Sequence, residues 1–291
     1  MATPNRFAYS PASAPFTLTE IMIVTLVVAV MVATLLPAVE KAREKARYGR
    51  WQGHVSTMRG DEGMVALYDF EDGQGQIVTN RAIGSDTTDY VPEKMNGERD
   101  TAALTAWAEG RWQGKGALFF AGFPPSWVRI ATTQYLNPKS GTLGVWARPY
   151  TEDGFFPYGN PHLFDCNTPD GTHALSLLTS PTGQLMVNLG DRQAVRVGKE
   201  YGQAWHFVTL TWNEGTFKVY WDGGLAMNDT YTPFTAFSPV AAIGSMYGYD
   251  AATDTTMSYG GSWAGYIDEV FLYTRELSAD EILALYRMGI Q

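Results

Sequence analysis

The chain has 291 residues and a formal net charge of −9, with 30 acidic against 21 basic side chains. That balance supplies no basic field to attract nucleic acid. The one cysteine, Cys166, excludes an internal disulfide and reads as a small buried side chain, and no Cys/His spacing suggests a zinc site.

In chain order, the first element is an apolar run from Phe16 to Val39, about 24 residues with one charge, Glu20, at its mouth. As a helix it would measure about 36 Å, enough to cross a hydrocarbon core. In lipid the backbone must satisfy itself, so helix wins over strand despite the valines. After Pro37, the stretch AVEKAREKAR (38–47) is a strong helix former whose acidic and basic residues alternate at pairing distance. One helix over 16–60, bent near Pro37, is expected.

Three readings of this segment compete. A cleaved secretory signal needs a basic start and a small-residue cut site, whereas Met1 to Pro15 carries only Arg6. A plain anchor accounts for the length but not for Glu20, because an ionisable group in a span is expensive and marks function. The third reading is an assembly device, with Glu20 as its working part.

Beyond residue 61, Tyr, Trp, Phe, Val, Thr and Gly replace the helix formers. A strand at 64–70 runs into the turn Glu71-Asp72-Gly73-Gln74-Gly75. Residues 142–148 form a second strand. A hairpin joins 206–212 to 216–221 through Asn213-Glu214-Gly215, and another strand follows Asp222-Gly223-Gly224. Phe217, Val219 and Trp221 alternate with Lys218, Tyr220 and Asp222, the period of a half-buried strand. A last strand spans 263–273. Ser278 then caps a helix over 279–287, with Glu281 completing a capping box. Many short strands with little helix predict a mainly β chain, a jelly-roll β-sandwich preceded by one long transmembrane helix. The expected divisions are 1–15, 16–60 and 61–291.

Two resemblances sharpen these expectations. FTLTE (16–20), the apolar run, Leu36-Pro37-Ala38 and Lys41-Ala42-Arg43 together resemble the N-terminus of type IV pilins and type II secretion pseudopilins. That resemblance implies a leader, 1–15, cut by a prepilin peptidase between Pro15 and Phe16, and methylation of Phe16. It implies that Glu20 pairs with the α-amino group of a neighbouring pilin-like subunit. It also implies a single-pass protein of a bacterial inner membrane, in contact with lipid, whose C-terminal domain is periplasmic or on a cell-surface filament. Pro15 stands where that family has Gly, and Thr19 where it has an aliphatic residue. Lys41, Arg43, Lys45, Arg47 and Arg50 beyond the run would alone favour the opposite orientation.

The second resemblance rests on five segments: LYDFEDGQGQ (67–76), EGRWQGKGALFF (109–120), TLGVWARP (142–149), WHFVTLTWNEGTFKVYWDGG (205–224) and GYIDEVFLYTRELSADEILALY (265–286). In this order they resemble the laminin G-like members of the concanavalin A-like lectin/glucanase superfamily, and imply its jelly roll. The superfamily holds binding modules, adhesion domains and some enzymes, so the fold leaves function open. Its glucanases carry an E-x-D-x-x-E triplet, suited to two-carboxylate chemistry. Here Glu98-Arg99-Asp100 begins one, but Ala103 stands at its end, so no enzyme activity is expected. The resemblance makes a structural calcium a candidate, with Asp69, Glu71 and Asp268 as its oxygen donors, against the plainer reading of solvated or turn-capping acids. Polysaccharide or another glycan is a candidate partner. Tyr247, Tyr249 and Tyr259 are the ligand-stacking candidates, ahead of Phe155, Phe156 and Tyr158, with core cover or subunit packing as the competing reading.

Overall fold

The computed structural model describes residues 16–84, 89–100, 104–150, 159–167, 173–250, 255–258 and 261–290; for 173–174, 247–250 and 255–258 the description is of the backbone. The chain divides into two compact units, Met1–Ala46 and Arg47–Gln291. Helix α1, Leu18–Arg59, runs through Pro37 without ending.

In the first unit every side chain from Phe16 to Val39 is exposed. The helix is long and apolar enough to span a membrane or to act as a signal sequence. A helix that is apolar all round and unburied in its own unit needs an apolar medium from elsewhere.

The second unit begins at Arg47 rather than at residue 61, because the end of α1 is built into it. Trp51, Val55 and Met58 recur at helical spacing and are buried. The strands follow as β1 Met64–Tyr68, β2 Ile77–Val78, β3 Gly97–Arg99, β4 Thr105–Glu109, β5 Gly116–Ala121 and β6 Val128–Ile130. Next come β7 Ser140–Pro149, β8 His162–Asn167, β9 His173–Thr179, β10 Gln184–Leu189, β11 Arg192–Glu200 and β12 His206–Asn213. The last are β13 Thr216–Trp221, β14 Gly224–Thr230, β15 Ala241–Ile243, β16 Tyr247–Asp250, β17 Thr255–Ser258 and β18 Ala264–Tyr273, before helix α2, Ala279–Ile290.

One antiparallel sheet has the order β14-β13-β12-β7-β18-β5-β4, with β1 also on β18; the other runs β11-β10-β9-β8-β15-β6-β3-β2. Val145, Leu210 and Val270 of the first sheet share one buried cluster with Phe164, Leu177 and Val187 of the second. This is the inter-sheet core of the expected jelly-roll sandwich. Cys166 lies in it, and burial pushes its thiol well up. The opposite face of the first sheet presents Trp146, Phe207, Phe271 and Tyr273, which pack with Trp51, Val55 and Met58 of α1 and Ile282 of α2. Strands β7 and β18 are thus buried on both faces over most of their length.

The capping box expected on α2 is present. Ser278 N donates to Glu281 Oε2 at 2.8 Å, and Glu281 N donates to Ser278 Oγ at 3.3 Å. Arg275 adds an ion pair to Glu281 at 2.8 Å. The Arg275 bond, ahead of the Ser278 bonds, pulls the Glu281 carboxyl from 4.5 down to about 2. A depressed folded pKa gives stability that is complete above pH 4.5 and fades as the pH falls toward about 2. Glu281→Gln should therefore melt about 1–3 °C below the wild type near neutrality, the scale of a largely exposed pair and cap. Thermal melts from neutral to strongly acidic pH should show that gap closing across the same window. A gap independent of pH would remove Glu281 titration as the cause.

Candidate functional site

Where α1, the end of β1, the 109–116 turn and β18 meet, four carboxylates and four cations interlock. At its centre is Lys115, whose side chain is fully buried. Its Nζ donates to Asp69 O at 2.6 Å and Gly116 O at 2.9 Å, with Asp268 O at 3.4 Å. It pairs with Asp268 Oδ1 at 2.8 Å and Glu71 Oε1 at 3.2 Å. The ammonium also lies 4.3 Å from the Trp51 ring centroid. A buried charge needs this much compensation, since an isolated one would be expelled or neutralised.

Arg111 closes the other side. Its Nε donates to Asp268 Oδ2 at 3.0 Å, its backbone N to the same oxygen at 2.8 Å, and its Nη2 to Glu269 Oε2. Its Nη1 reaches Gly289 O of α2 at 3.1 Å, and the guanidinium stacks between Trp112 and Trp146. Trp51 Nε1 donates to the remaining Glu269 oxygen at 2.5 Å. Arg59 and Arg81 hold Asp69 at 3.0 and 3.4 Å. Burial alone would raise the Asp268 carboxyl, but Arg111 and Lys115 outweigh it and hold the group below its ordinary value. Burial raises Glu269, the neighbour that shares Arg111.

Local backbone makes this convergence possible. Phe70 is buried with φ 54, a left-handed conformation that a side-chain-bearing residue adopts at a cost of about 1–3 kcal/mol. It turns the chain so that the Asp69 carbonyl and the Glu71 carboxylate both face Lys115. Gly110 admits close approach of another kind: a Cβ there would stand 2.5 Å from Asp268 Oδ2.

The Glu71 and Asp268 carboxylates both reach Lys115, whereas Asp69 meets it through its backbone carbonyl and gives its carboxylate to Arg59 and Arg81. With Arg111 these are the counter-charges present where calcium was one candidate. Among the described residues no group of three or more His, Cys, Asp or Glu is placed to hold a metal ion. The cluster's evident work is mechanical: it fastens the Tyr48–Arg59 stretch of α1 to the sandwich, with Tyr48 OH donating to Glu71 Oε2 at 2.9 Å. Lys115, Arg111 and Trp51 were not legible as partners, because Lys115 sits in a Gly-rich turn that reads as solvated.

Glu20 has a partner in its own chain. Thr17 N and Oγ1 each donate to Glu20 Oε2 at 2.8 Å, and Glu20 N donates to Thr17 Oγ1 at 3.3 Å. Thr17 and Glu20 thus form a capping box on α1. The T-x-x-E spacing is visible in the sequence and could have signalled it. His206, expected to be structural, has Nδ1 2.9 Å from Asp222 Oδ2 at the β13–β14 turn. Tyr247 and Tyr249 lie on the β16–β17 hairpin, opposite Ser258 and Thr256. Their side chains lie outside the described residues, as do Pro15, Phe155, Phe156, Tyr158 and Tyr259.

A two-sheet antiparallel sandwich with a helix packed on one face defines a lectin-like jelly-roll protein. More particularly, the chain belongs to the concanavalin A-like lectin/glucanases superfamily: the laminin G-type model of that family matches residues 125–283, more than half of the chain. No curated protein matches it by sequence. Among solved structures it is similar to the Trypanosoma rangeli sialidase in complex with sialic acid, with a TM-score of 0.54 and 15% identity over 77% of this chain and 32% of that one. It is also similar to the binding domain of botulinum neurotoxin DC in complex with SialylT, with a TM-score of 0.54 and 14% identity over 79% of this chain and 51% of that one. The same domain in complex with rat synaptotagmin II gives 0.53 and 13%, over 79% and 52%. These likenesses are of fold, and the chain spans between about a third and a half of the length of those structures.

Proposed function

We propose that the chain is a pilin-like subunit of a bacterial inner membrane, of the type IV pilus or type II secretion kind, that displays its lectin-like sandwich outward for adhesion to glycan or protein. The observation that carries this reading is the apolar surface from Phe16 to Val39, exposed on every side and charged only at Glu20, the fifth residue from Phe16. Such a surface suits lipid and the helices of other subunits, and one carboxylate at a fixed position would set their axial register. Membership of the lectin/glucanases superfamily supports the binding role, as do neighbours solved with sialic acid and with a protein partner. A binding role without catalysis follows the missing carboxylate triplet.

A second reading is a monomeric, membrane-tethered carbohydrate-binding module. It is favoured by the Thr17–Glu20 capping box, which gives the carboxylate a use without any neighbour. The mature N-terminus separates the two. Intact mass and N-terminal peptide mapping of protein from its native membrane should find a chain beginning at Phe16 and methylated there. A chain that keeps Met1 or Ala2 would overturn pilin-type processing and leave the tethered module.

A further inference from the structure

Above the part of the first sheet that the helices cover, the same face carries a row of partly exposed aromatic rings around one arginine. Arg148 is two residues from Trp146 on β7, so both point to this face. Tyr266 of β18 stands opposite Phe119 of β5 and opposite Arg148. Trp205 immediately precedes β12, whose His206 pairs with Ala147, and so falls beside Arg148. Ring centroids are 5.1 Å apart for Phe119–Tyr266 and 6.3 Å for Trp205–Tyr266, and Tyr150, 65% exposed, extends the row 5.5 Å from Phe119. Four neighbouring strands make the row about 14 Å wide.

Arg148 sets the chemistry of this surface. Its Cζ lies 4.6 Å from the Tyr266 centroid and 5.2 Å from the Trp205 centroid. Arg59, Arg81, Arg111, Arg192 and Arg275 all bond carboxylates. Among the described residues the Arg148 guanidinium has no carboxylate or hydrogen-bond partner, only these two rings. With their centroids only 6.3 Å apart, the two rings flank one side of the Arg148 guanidinium, and its N–H donors, unbonded among the described residues, present the fork that matches a carboxylate. Neighbouring ring surfaces accept the C–H side of a sugar.

We propose that the Phe119–Tyr266–Arg148–Trp205 row is a binding platform for a carboxylate-bearing glycan, with the sugar laid on the rings and its carboxylate taken by Arg148. The site deepens the glycan-binding half of the function proposed above and rests on it. A neutral glycan would leave the Arg148 donors unmatched, and a purely anionic ligand would leave the rings unused.

The test uses full-length protein in detergent micelles, with polygalacturonate fragments and their fully methyl-esterified counterparts as probes. The wild type should bind the acid form and bind the ester at least about tenfold more weakly, the scale of a lost hydrogen bond to a charged group. Arg148→Gln should lose about tenfold to a hundredfold for the acid and leave Tm unchanged. Tyr150→Ala, at an exposed position with little fold risk, should also weaken binding. Equal binding of acid and ester, or binding of the ester alone, would overturn the carboxylate platform while leaving a lectin role standing. No binding of either, together with failure on a panel of neutral polysaccharides, would overturn both. Acid binding that both variants keep in full would place it elsewhere and overturn the platform.

Discussion

Lys115→Met is expected to destabilise the sandwich by about 3–5 kcal/mol, a fall in Tm of roughly 6–20 °C for a domain of this size. Methionine keeps most of the volume, so the loss is electrostatic rather than a cavity. It strips the ammonium from Asp268 Oδ1 at 2.8 Å, in a site where Asp268 is fully buried. The Asp69 and Gly116 carbonyls lose a donor as well, and buried acceptors left unmade cost about 1–3 kcal/mol each. Arg111 remains on Asp268, which limits the damage. The partly exposed pair Lys218–Glu276, also at 2.8 Å, is the control: Lys218→Met should cost about 1 kcal/mol or less, because solvent screens it. The pH dependence has a definite sign. Asp268 is held below 3.8 in the fold, so its contribution is present above that value and lost as the pH falls through the folded pKa. In Lys115→Met the stranded carboxylate gains by protonation, so the Tm gap to the wild type should narrow on acidification. Calorimetry with and without a chelator completes the test. An unmoved wild-type Tm fits Lys115 and Arg111 as the counter-charges, and a drop of several degrees would put a bound ion in the cluster.

What the sequence revealed and what it withheld divide along contact range. The 206–221 hairpin, the 264–273 strand and the Ser278–Glu281 box were legible because period, turn residues and caps are local signals. The place of β18 between β7 and β5 was not, because nothing local fixes which strands pair. Lys115 and Asp268 are brought together only by that pairing. The buried stripe Trp51, Val55, Met58 had a readable helical spacing, but nothing local showed which surface it would pack against. The Arg148 platform joins residues from three strands and the residue before a fourth, and has no motif at all. At Glu20 the local T-x-x-E signal was present and went unread, and the structure shows the carboxylate in that capping use, beside the pairing proposed for it.

Glu20→Ala is expected to abolish subunit assembly, whereas Thr17→Ala leaves most of it, and this difference decides between those uses. If Glu20 serves only the capping box, each substitution breaks two of its three hydrogen bonds: Glu20→Ala removes both bonds to Oε2, and Thr17→Ala removes both bonds of the Thr17 hydroxyl. Each would then loosen the helix end slightly, and neither would touch association. If Glu20 also meets the α-amino group of a neighbour, Glu20→Ala removes an opposite charge from a low-dielectric contact. The unpaired amine left there costs several kcal/mol, enough to lower association by a factor of a thousand or more by order of magnitude. Thr17→Ala keeps the carboxylate and removes only the hydroxyl donor to Oε2, while the backbone N–H at 17 remains. Cross-linking in native membranes reads the result: ladders of cross-linked subunits in the wild type and Thr17→Ala, and monomer in Glu20→Ala. Glu20→Gln refines it, because glutamine can still accept from Thr17 but carries no charge for the amine. Monomer in Glu20→Gln would tie assembly to the charge itself, while equal behaviour of all three variants would reduce Glu20 to a helix cap and leave the sandwich on a solitary anchor.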